Sequence, residues 1–461
     1  MGKIQSQIII ITAALLAVSC SRQTMSVEEL RVEHMENPSV VDATHPRLSW
    51  INIPKSQKAR GIKQTAYRIV VASSKENLKQ GIYDLWDSGK QLSEESDLIP
   101  YQGKTLPSAQ DCYWKVQTWD QDGKPTAWSK PSHWGMGLMN EDEWQAQWIA
   151  PLLGGPGAPL LRKHFDSRGQ IKQAKVFVCG LGYFELYVNG ERIGDDYLVP
   201  NMTDYTKRFD LEKGPIAISG NMSRHRVMYL AYDITKQIQE GRNALGVILG
   251  NGFYDAVNLN IPCSKFGDEC LRLQLQLTYA DGTTQTVISD NTWETKPSAI
   301  TLNGVHAGEI YNANLETPLW ATTEDNSQGW QRVKCIEGPT GMMTAHTAPT
   351  DKIVESLKPI SLHQREDGAW VVDFGKEISG WLHLHDLKGE KGDTVKVDYI
   401  SESVQGNMRY VMNGSGSEDY APRVTWFAFS KAVISGVKEL SMRNLTADVV
   451  NTHVEKTADF H

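Results

Sequence analysis

Oxygen-bearing side chains gather in two short stretches of this 461-residue chain. One reads GDDYLVPNMTDY and holds Asp195, Asp196, Asn201 and Asp204; the other reads GNGFYDAVNLN and holds Asn251, Asp255 and Asn258. A hard cation takes six to eight oxygen ligands, and carboxylates, amides and sugar hydroxyls all serve. Tyr205 and Phe253 lie in the same stretches and offer rings on which a sugar face stacks. These residues define two candidate roles: ligand contact for Asn201, Asp204, Asn251 and Asp255, and calcium ligation for Asp195 and Asp196. The competing reading is that Asp and Asn are ordinary turn formers and that Asn251-Gly252 is a turn signal. A third acidic group, Glu141, Asp142 and Glu143 in NEDEW, precedes a domain boundary and reads as a solvated loop.

The elements that must carry these residues are strands. LRLQLQLTYADGTTQTVIS places Leu271, Leu273, Leu275 and Leu277 on one face against Arg272, Gln274 and Gln276 on the other, and Asp281-Gly282 supplies a tight turn. ELYVNGERIG repeats the pattern around Asn189-Gly190, and LKGEKGDTVKVDYI does so again. Helical periodicity is confined to two short candidates, residues 74–79 and 233–239. The fold class expected is all-β, in tandem sandwiches.

Composition shifts divide the chain. GGPGAP in residues 154–159 closes a first domain over 25–150, whose spaced aromatics suit a fibronectin type III-like or immunoglobulin-like sandwich with a buried tryptophan. In YWKVQTWDQDGKPTAWS, Trp114, Val116 and Thr118 share one strand face and Tyr113, Lys115, Gln117 and Trp119 the other. Core packing explains that alternation, with sugar stacking as the sharper alternative. A second domain is expected over 158–300 and a third over 301–455.

A net charge of −8 without a basic block disfavours nucleic acid. Residues 8–18 form an apolar run too short to span a bilayer but suited to an export signal. It ends Leu16-Ala17-Val18-Ser19-Cys20, which resembles a bacterial lipobox. The expectation is a signal peptide over 1–20, lipidation at Cys20, and a lipid anchor in the bacterial envelope as the sole membrane contact. Cys112, Cys179, Cys263, Cys270 and Cys335 remain, an odd set in which Cys263 and Cys270 could close one loop or stay free thiols. No CxxC or HxxxH spacing offers a zinc site.

Several motifs together carry a family resemblance. DATHPRLSW, YRIVVASS and DLWDSGK, then LLRKHFDSRGQIKQAKVFVCGLGYFELYVNGERIGDDYLVP, then AGEIYNANLE and DFGKEISGWLHLHDLKGEKGDTVKVDYISE, resemble the successive β-domains of bacterial α-L-rhamnosidases, in the same order. The resemblance implies a fibronectin-like domain, a jelly-roll and a further β-sandwich. In the family these precede an (α/α)6 barrel that holds the carboxylates of an inverting hydrolase of terminal α-L-rhamnose. Such a barrel needs about a dozen amphipathic helices, and no long 3.6-period run occurs here. An inverting pair must stand roughly 6.5 to 9.5 Å apart, and no such pair can be nominated. The expectation is a rhamnosidase-related chain of non-catalytic β-domains, its own enzymatic status open.

The alternative is a surface glycan-binding lipoprotein, since some relatives use the jelly-roll as a calcium-assisted rhamnose-binding module. The expected partner is a rhamnose-containing glycan; no cofactor is required, and calcium is the one candidate ion. Glu309 stands where the family pattern runs Gly-Glu-x-Tyr-Asp-Ala-Arg; Asn312 and Asn314 replace its Asp and Arg. The closing Thr457, Asp459 and Phe460 resemble the family's lead into its barrel.

Overall fold

The computed structural model describes residues 24–56, 58–152, 154–206, 225–255, 265–305, 307–324, 328–401 and 406–454. Cys20, Asn258, Cys263 and the closing Thr457, Asp459 and Phe460 lie outside them. The chain is all-β, and it divides into two compact units.

The first unit takes in the chain up to Arg31 and residues 47–103 and 113–132. One sheet orders Met25–Val32, Arg47–Pro54 and Ile99–Pro100, and a second is built on Trp86–Asp87, Ala66–Ala72 and Asp111–Trp119. Alternate residues of Asp111–Trp119 are buried, so Trp114 and Val116 join Leu48, Trp50, Ile69 and Val71 among the solvent-excluded side chains. Trp50 donates its indole N–H to Gln64 at 3.0 Å and meets the Tyr67 ring edge-on. The expected helix forms as Lys75–Gln80: the Ser74 hydroxyl caps its start, and Gly81, at φ 78°, closes it in a conformation only glycine adopts freely.

The second unit takes in residues 32–46 and 104–112 and the chain from His133 onward. Its first sandwich pairs a seven-stranded sheet, centred on Ile171–Leu181 and Cys270–Tyr279, with a six-stranded sheet centred on Gly241–Gly250 and Pro159–Ser167. Val176, Val178, Leu186, Val247, Leu249 and the four alternating leucines of Cys270–Tyr279 fill the space between them. Gln274 is buried too, because residues 143–146 cover the outer face: its amide accepts from the Gln145 N–H at 2.8 Å and donates to the Glu143 carbonyl. The second sandwich is formed from a ten-stranded sheet that includes Thr394–Ile400, Phe427–Ser435, Trp370–Leu387, Leu445–Thr452 and the edge strand Asp351–Leu357. The register of Trp370–Leu387 shifts between Asp373 and Ile378, and its core holds Trp381, Leu382, Phe429 and Ile434.

Residues 233–239 contain a turn rather than the expected helix. The Asp233 carboxylate accepts from the Thr235 N–H and hydroxyl, and such local bonds compete with a helix this short.

Candidate functional site

The second unit contains a cavity of about 360 Å³, lined by both of its sandwiches. From the first sandwich come Tyr183, Leu198, Asn201, Met202 and Phe253. Phe253 follows a turn at Asn251-Gly252 that allows no bulk beside it: a Cβ on Gly182 would collide with the Asn251 carbonyl oxygen and stand 2.9 Å from the Gly252 Cα. The Asn251 N–H donates to Asn303 at 2.8 Å. From the second sandwich come Asp351, Ser379, Trp426, Val450, Asn451 and Thr452. Arg423 ties that wall in place, its guanidinium meeting Tyr187 at 2.8 Å and Glu185 at 3.2 Å.

The lining is amphipathic. Tyr183, Phe253 and Trp426 present rings, while Asn201, Ser379 and Asn451 present amide and hydroxyl groups. That mixture suits a sugar, whose C–H face packs on rings while its hydroxyls need donors and acceptors. It does not suit hydrolysis. Asp351 is the one carboxylate among the described lining residues, and it already accepts from the Thr452 hydroxyl at 2.9 Å. An acid–base pair requires two.

Of the residues singled out in the sequence, the structure brings Asn201 and Phe253 together at this cavity and leaves the others outside its lining. Asp195 pairs with Lys352 at 2.7 Å; partial burial pushes its pKa up, but the Lys352 hydrogen bond and charge, a backbone hydrogen bond and the Arg192 charge together hold it below the usual range. Asp196 accepts from the Tyr232 hydroxyl at 2.9 Å and from the Thr350 hydroxyl. No cluster of three or more side chains that could hold a metal ion occurs among the described residues. Asp204 meets His225 at 2.7 Å, and Asp255 meets Lys265 at 3.0 Å. The Asn251 amide is fully buried with neither polar atom hydrogen-bonded.

Asn201 is held from behind by His346, whose Nε2 accepts its backbone N–H at 3.4 Å. Burial lowers the His346 pKa, which keeps that nitrogen an acceptor. Glu309 is structural: fully buried, it accepts from the Tyr420 hydroxyl at 2.7 Å and from the Arg423 and Val424 N–H groups. Asn314, in place of the family's Arg, donates to the Met412 carbonyl at 2.9 Å.

Sequence reading missed Tyr183, Asp351, Ser379, Trp426, Asn451 and Thr452. Trp426, an aromatic before the alternating Phe427–Ser435 strand, was the one available signal.

Three family models match the chain in order. They are the Rha78A-like N-terminal immunoglobulin domain over 27–140, the alpha-L-rhamnosidase N-terminal domain over 169–216 and 221–355, and the bacterial alpha-L-rhamnosidase concanavalin-like domain over 363–451. The arrangement is that of the successive β-domains of a glycosidase family. The chain belongs to the bacterial α-L-rhamnosidases and carries their amino-terminal β-domains. An alpha-L-rhamnosidase of Formosa agariphila is 30% identical, over 97% of this chain and 50% of the relative. One from an Alteromonas species is 27% identical, over 93% and 48%. The solved alpha-L-rhamnosidase of Dictyoglumus thermophilum superposes with a TM-score of 0.82 at 32% identity, over 93% of this chain and 49% of that one. The chain thus spans about half the length of the curated relatives it matches. Its described residues include one α-helix, of six residues, so no helical barrel lies among them.

Proposed function

We propose that these β-domains serve an α-L-rhamnosidase-type protein by holding a rhamnose-containing glycan, without cleaving it themselves. The observation that carries this reading is the cavity, where three rings and several hydroxyl and amide groups surround a single carboxylate that is already hydrogen-bonded. Its volume lies at the small end of the range for ligand pockets, which suits one sugar ring. Calorimetry of the purified chain with L-rhamnose at millimolar concentration tests binding, and absence of heat overturns it. Repeating the titration with calcium and with a chelator decides whether Asp195 and Asp196 exchange their protein partners for a cation. Release of aryl alcohol from an aryl α-L-rhamnoside would overturn the non-catalytic assignment.

The envelope location is also part of the proposal and rests on sequence alone: an apolar run that closes on Cys20. Metabolic labelling with a clickable fatty acid tests it. Label in the native chain and none in Cys20→Ser is expected; an unlabelled native chain overturns the anchor.

A further inference from the structure

The outward face of strand Asp111–Trp119 in the first unit presents Tyr113, Lys115, Gln117 and Trp119, all half-buried. Six steps of strand at about 3.4 Å each make this row roughly 20 Å long. Four cations are set on rings along it. Lys75 stands 5.6 Å from the Tyr113 ring, and Lys90 stands 4.6 Å from that of Trp119. Lys115 lies between Tyr83, at 5.6 Å, and Trp128, at 5.0 Å, and Arg68 reaches Trp128 at 5.8 Å.

Packing alone accounts for part of this. Val70, Ala72 and Leu78 form a small cluster beneath Tyr83, Tyr113 and Trp128, so the rings have an apolar floor. It does not account for the charge. Arg68 is paired with Asp87 at 2.6 Å, but Lys75, Lys90 and Lys115 have no ion-pair partner among the described residues. Three unpaired ammonium groups held on rings have less rotamer freedom to lose when an anion arrives, and this preorganisation favours binding.

We propose that this face binds an extended acidic polysaccharide, one that bears carboxylates along its length. A linear polyanion matches a linear row of fixed cations. A single-stranded nucleic acid would need open ring faces for its bases, and here cations occupy them. The proposal stands whether or not the cavity of the second unit binds rhamnose, because no residue is shared between the two sites.

Affinity electrophoresis of the full chain through gels containing polygalacturonate tests it, with neutral dextran and oligo-dT gels beside. Retardation by polygalacturonate alone is expected, released as sodium chloride rises from about 50 to about 300 mM. Lys75→Gln combined with Lys115→Gln weakens retention about tenfold, the factor two exposed charge contacts supply together. Lys90→Gln, on an exposed side chain that leaves the core untouched, weakens it about threefold. A native chain that runs freely in polygalacturonate, variants retained as strongly as the native chain, or stronger retention by oligo-dT would each overturn the proposal.

Discussion

The cavity of the second unit and the cation-bearing face of the first are both amphipathic, but they are assembled in opposite ways. The cavity draws Asn201, Phe253, Asp351, Ser379, Trp426 and Thr452 from segments far apart in the chain, and close backbone approaches at glycines fix their positions. The face is centred on one strand, where period-2 alternation puts Tyr113, Lys115 and Trp119 side by side, and exposed side chains of neighbouring segments, Lys75 and Lys90 among them, add their charges to it. A site of the first kind fails when the backbone is disturbed; a site of the second kind loses ligand contacts one side chain at a time.

The largest effect expected is at Gly182. Alanine there would drive a Cβ into the Asn251 carbonyl, a collision that only a shift of the Asn251–Phe253 turn relieves. Gly182→Ala should cost about 3 kcal/mol, seen as a thermal transition lowered by roughly 6 to 12 °C, and rhamnose binding should vanish with it. An unchanged melting curve would show that the turn is soft and would weaken the contrast with the face.

Glu269 gives the next largest effect, and one that depends on pH. It is 1% exposed, one of its oxygens has no partner, and burial pushes its pKa up to about 7. Because the folded value lies above the unfolded one, near 4.5, the folded state binds the extra proton between them. Its contribution is fully present below pH about 4.5 and is lost as pH rises through about 7. Glu269→Gln should therefore stabilise the chain by about 3 kcal/mol at pH about 8 and hardly at all at pH about 4.5, measured by paired thermal melts. An equal effect at both values would mean that the carboxyl is not neutral in the folded state at low pH.

Trp426→Ala sharpens the comparison from the ligand's side. One stacked ring is worth about 1 kcal/mol, so rhamnose affinity should fall roughly five- to tenfold in calorimetry while polygalacturonate retention stays at the native value. Loss of both would mean that the substitution disturbs more than the cavity.

How much of this was legible in the sequence follows from the same contrast. Alternation in Leu271, Leu273, Leu275 and Leu277 and the Asn189-Gly190 and Asp281-Gly282 turns specified strands and hairpins locally, and the all-β class with them. Gln274 shows the limit: a polar residue on the supposed solvent face is buried because residues 143–146 fold over it, and alternation carries no information about what covers a sheet. The cavity was half legible. Asn201 and Phe253 stood out by type, but Asp351, Ser379 and Trp426 join them only through the packing of two sandwiches. Asp195 and Asp196 were marked by their oxygens, and the Lys352, Tyr232 and Thr350 groups that occupy those oxygens come from distant segments.

The smallest stability effect expected is at Lys115, and it is the most direct test of the face. The Lys115 ammonium lies between Tyr83 and Trp128, and a half-exposed cation–ring contact contributes about 0.5 to 1 kcal/mol. Lys115→Gln keeps the first two methylenes of the stem and replaces the ammonium end with a neutral amide. Its thermal transition should fall by roughly 1 to 4 °C, while polygalacturonate retention drops about threefold. A large fall in stability would make Lys115 a structural pin between two rings, and the row would then be part of the core's outer layer. A small fall together with weaker retention would show that its charge serves a ligand.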